Sequence, residues 1–163
     1  MHASACRANA ARTIAVAIAA ANLGGALLIP DGDDRAPGED VGSFVRLTVD
    51  QPTSSPAGRY SASLRGARVD LMVTVECYTR GNSDGRTLAV DAVQILADRV
   101  ADALTYTDLP LKDYVSDPTG ATSISGHAVR FITPASVRRL DPVDGYQRRH
   151  VEASAVHFSR FEV

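Results

Sequence analysis

The chain has 163 residues, 45% hydrophobic and 22% charged, which is the composition of a soluble globular protein with room for one real core; two domains would be cramped. Seventeen basic against 19 acidic residues leave a net charge of −2. That argues against a dedicated nucleic-acid binder, normally basic on one face, but not against a wall that nucleic acid passes without sticking.

Residues 4–22 are expected to form a helix, from alanine's high propensity and the placement of Ile14, Val16 and Ile18. Asn22 and Gly24-Gly25 supply its stop. Arg7 and Arg12 precede an apolar stretch running to Pro30, which superficially resembles a secretory signal. The stretch is mostly alanine and is broken by the two glycines, so a folded first helix is the expectation rather than a signal or a membrane span. Residues 26–29 are a short apolar run compatible with a buried strand. Residues 31–42, with Pro37 and three glycines, read as a loop.

The strongest signals follow. Val45, Leu47 and Val49 alternate with Arg46, Thr48 and Asp50, and Val69, Leu71, Val73, Val75 and Cys77 alternate with Asp70, Met72, Thr74, Glu76 and Tyr78. Successive side chains of a strand point to opposite faces, so each segment has one apolar face. Between them, residues 51–68 are rich in Pro, Ser and Gly and carry Arg59, Tyr60, Arg65 and Arg68. A tight hairpin needs two to five residues, so this connection reads as a long basic loop or arm that orders on a partner.

Residues 86–104 switch period: Leu88, Ala89, Ala92, Val93, Leu96, Ala97, Val100, Ala103 and Leu104 draw one apolar stripe along a helix. A loop over 105–108, a short strand over 111–115 and a turn over 117–120 are expected next. Val129 and Phe131 mark another strand, ended or bent by Pro134, and residues 135–145 read as irregular. The last strand, 147–161, would span roughly 50 Å fully extended. Its phase shifts, with Val151, Ala153 and Ala155 on one face and Val156 and Phe158 on the other, which calls for a bulge or for burial on both faces. The fold class expected is α+β: an antiparallel sheet with an N-terminal helix and one main amphipathic helix packed on it, in a single domain over 1–163 with 51–68 as its extended arm.

Reaction chemistry is not legible. Asp31-Gly-Asp-Asp34 has the look of a calcium loop, but Ala36 and Gly42 stand where glycine and glutamate would be required and Pro37 intrudes, so an acidic turn is the better reading. His150 and Glu152 share a face of the last strand with no third ligand evident, and His157 lies on the other face. His127 reads as a strand-edge residue. Cys6 and Cys77 are far apart, without CxxC spacing or a neighbouring histidine, and are expected to stay reduced; Cys77 falls on an apolar face as a small buried hydrophobe. Asp91, Asp98 and Asp102 sit on the polar side of the main helix. There is no GxSxG elbow and no phosphate-binding glycine loop. No catalytic, cofactor or metal residue is therefore assigned, and the chain is expected not to be an enzyme.

The ordered set Val69-Asp-Leu-Met-Val-Thr-Val-Glu-Cys-Tyr-Thr79, then the helix at 88–104, then Tyr146-Gln-Arg-Arg-His-Val-Glu-Ala-Ser-Ala-Val-His-Phe-Ser-Arg-Phe161 resembles the tail terminator proteins of long-tailed bacteriophages. The likeness is one of element order and length over most of the chain, and tail-tube and head–tail joining proteins share much of it. Residues 31–42 and the long arm make this chain bulkier than a minimal member. The resemblance implies a virion structural protein assembled in the host cytoplasm. It would form a ring, commonly of six subunits, that caps the tail tube, stops its polymerisation and joins it to the neck beneath the capsid. Its implied partners are copies of itself, the tail tube protein and the neck connector, with DNA passing through the lumen without specific binding and no membrane involved.

Two alternatives stand beside that reading: a neck adaptor or stopper, and a small-molecule-binding or enzymatic α+β domain using a pocket between helix and sheet. The candidate interface residues are Arg59, Tyr60, Arg65 and Arg68 in the arm and Arg148, Arg149 and Arg160 on or beside the last strand. For each taken singly, ordinary surface charge worth little in stability is the competing explanation.

Overall fold

The computed structural model describes residues 3–59, 64–80 and 88–162. In chain order these form α1 (Ala3–Ala20), β1 (Leu27–Ile29), β2 (Ser43–Arg59), β3 (Leu64–Thr79), α2 (Ala89–Ala103), β4 (Asp108–Lys112), β5 (Ser123–Arg130), β6 (Ser136–Val143) and β7 (Tyr146–Glu162). The strands make one sheet in the order β1-β2-β3-β7-β5-β4, with β6 pairing the start of β7. Every pairing is antiparallel except β1 with β2. Two helices on a mostly antiparallel sheet make this an α+β fold, as the alternating strands and the striped helix imply.

Register explains the core. Val45, Leu47 and Val49 lie opposite Cys77, Val75 and Val73, and these lie opposite Arg149, Val151 and Ala153 of β7. Residues directly opposite share a face, so one face of the three central strands is apolar. α2 covers it with Val93, Leu96, Ala97 and Val100, and α1 adds Ala10, Ile14 and Ile18, all in one buried cluster. Leu88, expected on the stripe of α2, is instead 64% exposed: it precedes the helix in extended conformation, outside the helical period.

Three expectations need correction. Residues 51–68 are not a loop. Among the described residues β2 runs on to Arg59 and β3 begins at Leu64, and the two stay paired, with Pro56 opposite Ala67 and Ala57 opposite Gly66. The far end of β7 pairs the other side of β3, from Leu64↔Glu162 to Arg68↔Phe158. Composition disfavours strand here, but a ladder supplied from both sides of β3 overrides it, and the prolines fall on β2, an edge strand at that point, where proline is tolerated. Second, residues 135–145 hold β6 and a turn rather than irregular chain. Asp144 and Gly145 both have positive φ (50° and 79°) between the paired Val143 and Tyr146, the backbone that a two-residue hairpin demands. Third, the short strand expected at 111–115 spans Asp108–Lys112, because Asn9 takes the backbone N–H groups of Tyr114 and Val115 and turns the chain away.

The phase shift of β7 is burial on both faces, not a bulge. Its register with β3 is unbroken from end to end, while Ala155, Val156 and His157 are all buried. The break lies instead in β2, between Asp50 and Thr53 opposite Met72 and Asp70, where one extra residue beside Pro52 bends the strand.

Candidate functional site

The most informative surface of this fold is its set of sheet borders, because an unpaired strand edge is a template for another chain. Over the body of the molecule several stretches of border are covered, although β1, the outermost strand on its side, leaves Leu27 46% exposed. α1 shields β4: Thr13 Oγ1 accepts from the Lys112 N–H at 3.3 Å, and Asn9 Oδ1 accepts from Tyr114 at 2.8 Å and Val115 at 3.2 Å. On β2, β1 covers Phe44–Arg46. Just beyond, the Val49 N–H donates to Asp31 Oδ1 at 3.0 Å, and Arg7 Nη2 donates to the Val49 carbonyl at 2.6 Å. β6 is blunted by charge and by proline, through Arg138, Arg139, Asp141 and Pro142.

Past the bend at Pro52 the sheet continues as a three-stranded tongue, made of the end of β2, the start of β3 and the end of β7. β5 does not follow it, pairing with β7 only at Arg130↔Val156 and Val129↔His157. This tongue gathers four of the seven residues singled out in the sequence. Arg59 is opposite Arg65, Arg65 opposite Phe161, Arg68 opposite Phe158, and Arg160 opposite Gly66. Tyr60 lies outside the described residues. The tongue strands carry those four arginines against two acids, Glu162 and, at the root, Asp70 opposite Thr53, although the chain as a whole is net negative.

Arg148 and Arg149 are at the other end of β7, about 40 Å away along the strand, so the seven do not form one patch. Arg148 donates through Nε to the Asp141 carbonyl at 2.7 Å and stands 5.9 Å from the Tyr78 ring centre. It borders a second buried cluster: Phe44 stacks on Tyr78 at 4.3 Å, Tyr146 meets Phe44 edge-on at 5.3 Å, and Arg80 lies 4.2 Å over Tyr146. The Tyr78 hydroxyl donates to Glu76, and burial is the first cause raising its pKa. Arg149 turns inward. It is 8% exposed, on the same face as Val151, and donates through Nε to Gln94 Oε1 of α2 at 2.7 Å and through Nη1 to the Arg148 carbonyl at 3.0 Å.

Several other titratable groups have structural partners. Asp31 closes the ion pair with Arg7 at 2.9 Å that caps β2, and Asp33 is lowered to about 2 by hydrogen bonds from Arg35. Asp117 is lowered to about 2 by the hydroxyls of Thr119 and Thr122 and their N–H groups. His150 Nε2 is 3.5 Å from Glu152. His127 and His157 stack at 5.7 Å where β5 leaves β7, and burial, with a smaller push from His127, lowers His157 to about 4. Burial raises the Cys77 thiol to about 12, so it stays protonated. Among the described residues no three His, Cys, Asp or Glu side chains are placed to hold a metal ion. No helix among them is long and apolar enough to cross a membrane.

Two depressions lie along α1. One of about 570 Å³ runs against the segment around Pro30, and one of about 600 Å³ opens between α1 and α2; alanines dominate both linings. Polar side chains stand among them, Arg7, Arg12 and Asp31 in the first and Asn22, Arg99, Asp102 and Thr107 in the second, with Arg7 paired to Asp31 and Arg99 donating to the Asn22 carbonyl.

The border-capping residues Asn9, Thr13 and Asp31 were not legible as such, since each caps a strand far from it in sequence. β6 had a signal: Asp144-Gly145 flanked by Val143 and Tyr146 is a strong hairpin cue.

No family model matches the chain, and no curated protein matches it. Solved structures do. A protein that carries only a sequence identifier for a name aligns over 96% of this chain and 96% of its own, at 18% identity and a TM-score of 0.54, which is a likeness of fold. A chain described as part of the virion of a native gene transfer agent particle covers 98% of this chain and 100% of its own, at 22% identity and a TM-score of 0.49.

Proposed function

We propose that this chain is a structural, non-catalytic subunit of a phage-type virion, and specifically a tail terminator. In this reading copies close into a ring, commonly of six, on the end of the tail tube, stop its growth and join it to the neck. The observation that carries the reading is the contrast between a body whose β2 and β4 borders are capped by α1 and the segment around Asp31 and a basic tongue, at the end of the sheet, whose strands run on beyond those caps. A head-to-tail ring uses such an extension to reach the next subunit. The ordered strands, helix and long final strand named in the sequence support the same assignment. A cap ends polymerisation because one ring face complements the tube and the other does not.

The test is to polymerise the partner tube protein with and without this chain. A terminator shortens the tubes and sits at one end of them, whereas a neck adaptor or stopper leaves tube length unchanged and binds only tubes already capped. Binding to neither, together with turnover or tight binding of a small molecule, would replace both with the enzymatic alternative.

A further inference from the structure

The two borders of the tongue differ. The β2 border carries Pro52 and Pro56, and proline has no N–H to offer a new strand. The β7 border, Phe158 to Glu162, has no proline. It pairs β3 on one side and, among the described residues, no strand on the other, since the β5 pairing stops at His157. A proline-free border of this kind invites association in a free subunit. We infer that it is covered by the same border of a second copy, the two β7 ends running antiparallel across a two-fold axis.

The chain's own sequence selects that occupant. A two-fold axis perpendicular to the sheet keeps every residue on its face, and directly opposite residues share a face, so one residue must stand opposite itself. Centring on Arg160 or on Glu162 sets like charges directly opposite, which is destabilising. Centring on Ser159 draws Val156 and His157, already paired with β5, into the new ladder. Centring on Phe161 sets the two Phe161 residues opposite each other. Arg160 then stands opposite Glu162 of the partner subunit, and Glu162 opposite Arg160 of the partner subunit. This register supplies one aromatic pair and two opposite-charge pairs.

The contact goes beyond the ring reading and does not depend on it. A ring needs a head-to-tail contact, whereas this one is self-complementary and closes on two copies. It covers the free subunit's proline-free border before assembly.

The test is sedimentation of the full chain over a range of concentrations, for the natural protein, Glu162→Arg, Arg160→Glu and the double exchange R160E/E162R. The natural chain forms a reversible dimer. By symmetry each single substitution turns both charged pairs into like pairs, and dimerisation weakens by about tenfold or more. The double exchange rebuilds both pairs with their signs reversed and restores the natural affinity. Equal thermal midpoints in all four proteins separate this pattern from misfolding. A natural chain that stays monomeric, single variants that associate as the natural chain does, or a double exchange no tighter than the singles each overturns the contact. Rings that form equally in all four proteins without the charge pattern overturn it and leave the ring reading standing. The charge pattern without any ring does the reverse.

Discussion

Asn9 ties the first helix to the far edge of the sheet. It is 1% exposed, its Oδ1 accepts from the Tyr114 and Val115 N–H groups, and its Nδ2 donates to Asp113 at 3.4 Å. Asn9→Leu keeps the volume but leaves two backbone donors without that acceptor, so denaturant unfolding is expected to show a loss of about 2–3 kcal/mol. His157 sets a pH dependence. Its folded pKa, about 4, lies below the ordinary value of 6.5, so between those values the unfolded chain holds the extra proton. Stability is therefore full above pH about 6.5 and declines as pH falls toward 4, by roughly 1–2 kcal/mol after allowance for solvent screening. Unfolding midpoints across that range check it, and His157→Gln should flatten the slope. At this scale Cys77 was legible and Arg149 was not. Cys77 follows from the parity of an apolar strand. The parity of β7 likewise puts Arg149 with Val151 and Ala153, but its inward turn depends on Gln94 of α2, which sequence spacing does not reveal.

Among elements, β3 and α2 were legible because each buries one face, and that burial writes period two or period 3.6 into the sequence. The tongue was legible as a basic segment but not as strand. Its pairing comes from the end of β7, where Phe158, the partner of Arg68, lies 90 residues along the chain. β6 shows no period-two pattern because its surface is polar and largely exposed, typical of an edge, and only its Asp144-Gly145 turn marks it in the sequence. The tongue leaves the core between Val49 and Val69, both buried at its root. Removing residues 53–65 is therefore expected to leave a cooperative thermal transition close to that of the intact chain while abolishing its assembly into rings. Loss of the transition would show instead that the tongue belongs to the folding unit.

For the whole molecule, a sheet whose β2 and β4 borders are capped by Asn9, Thr13, Asp31 and Arg7, and whose tongue runs on past those caps, fits the proposed subunit that meets copies of itself. In the proposed ring a near-neutral chain would suit a lumen through which a polyanion slides, since a strongly basic wall would hold it. Four of the chain's 17 basic residues lie on the tongue that would meet a neighbour, so ring formation should weaken as salt rises without disappearing. The most direct measurement is electron microscopy of the purified chain on the ends of tail tubes, with native mass measurement of the particles. The account predicts annular particles of a fixed number of copies seated at one tube end; a self-contained monomer that ignores tubes, with a ligand held in a dry cleft, would contradict it.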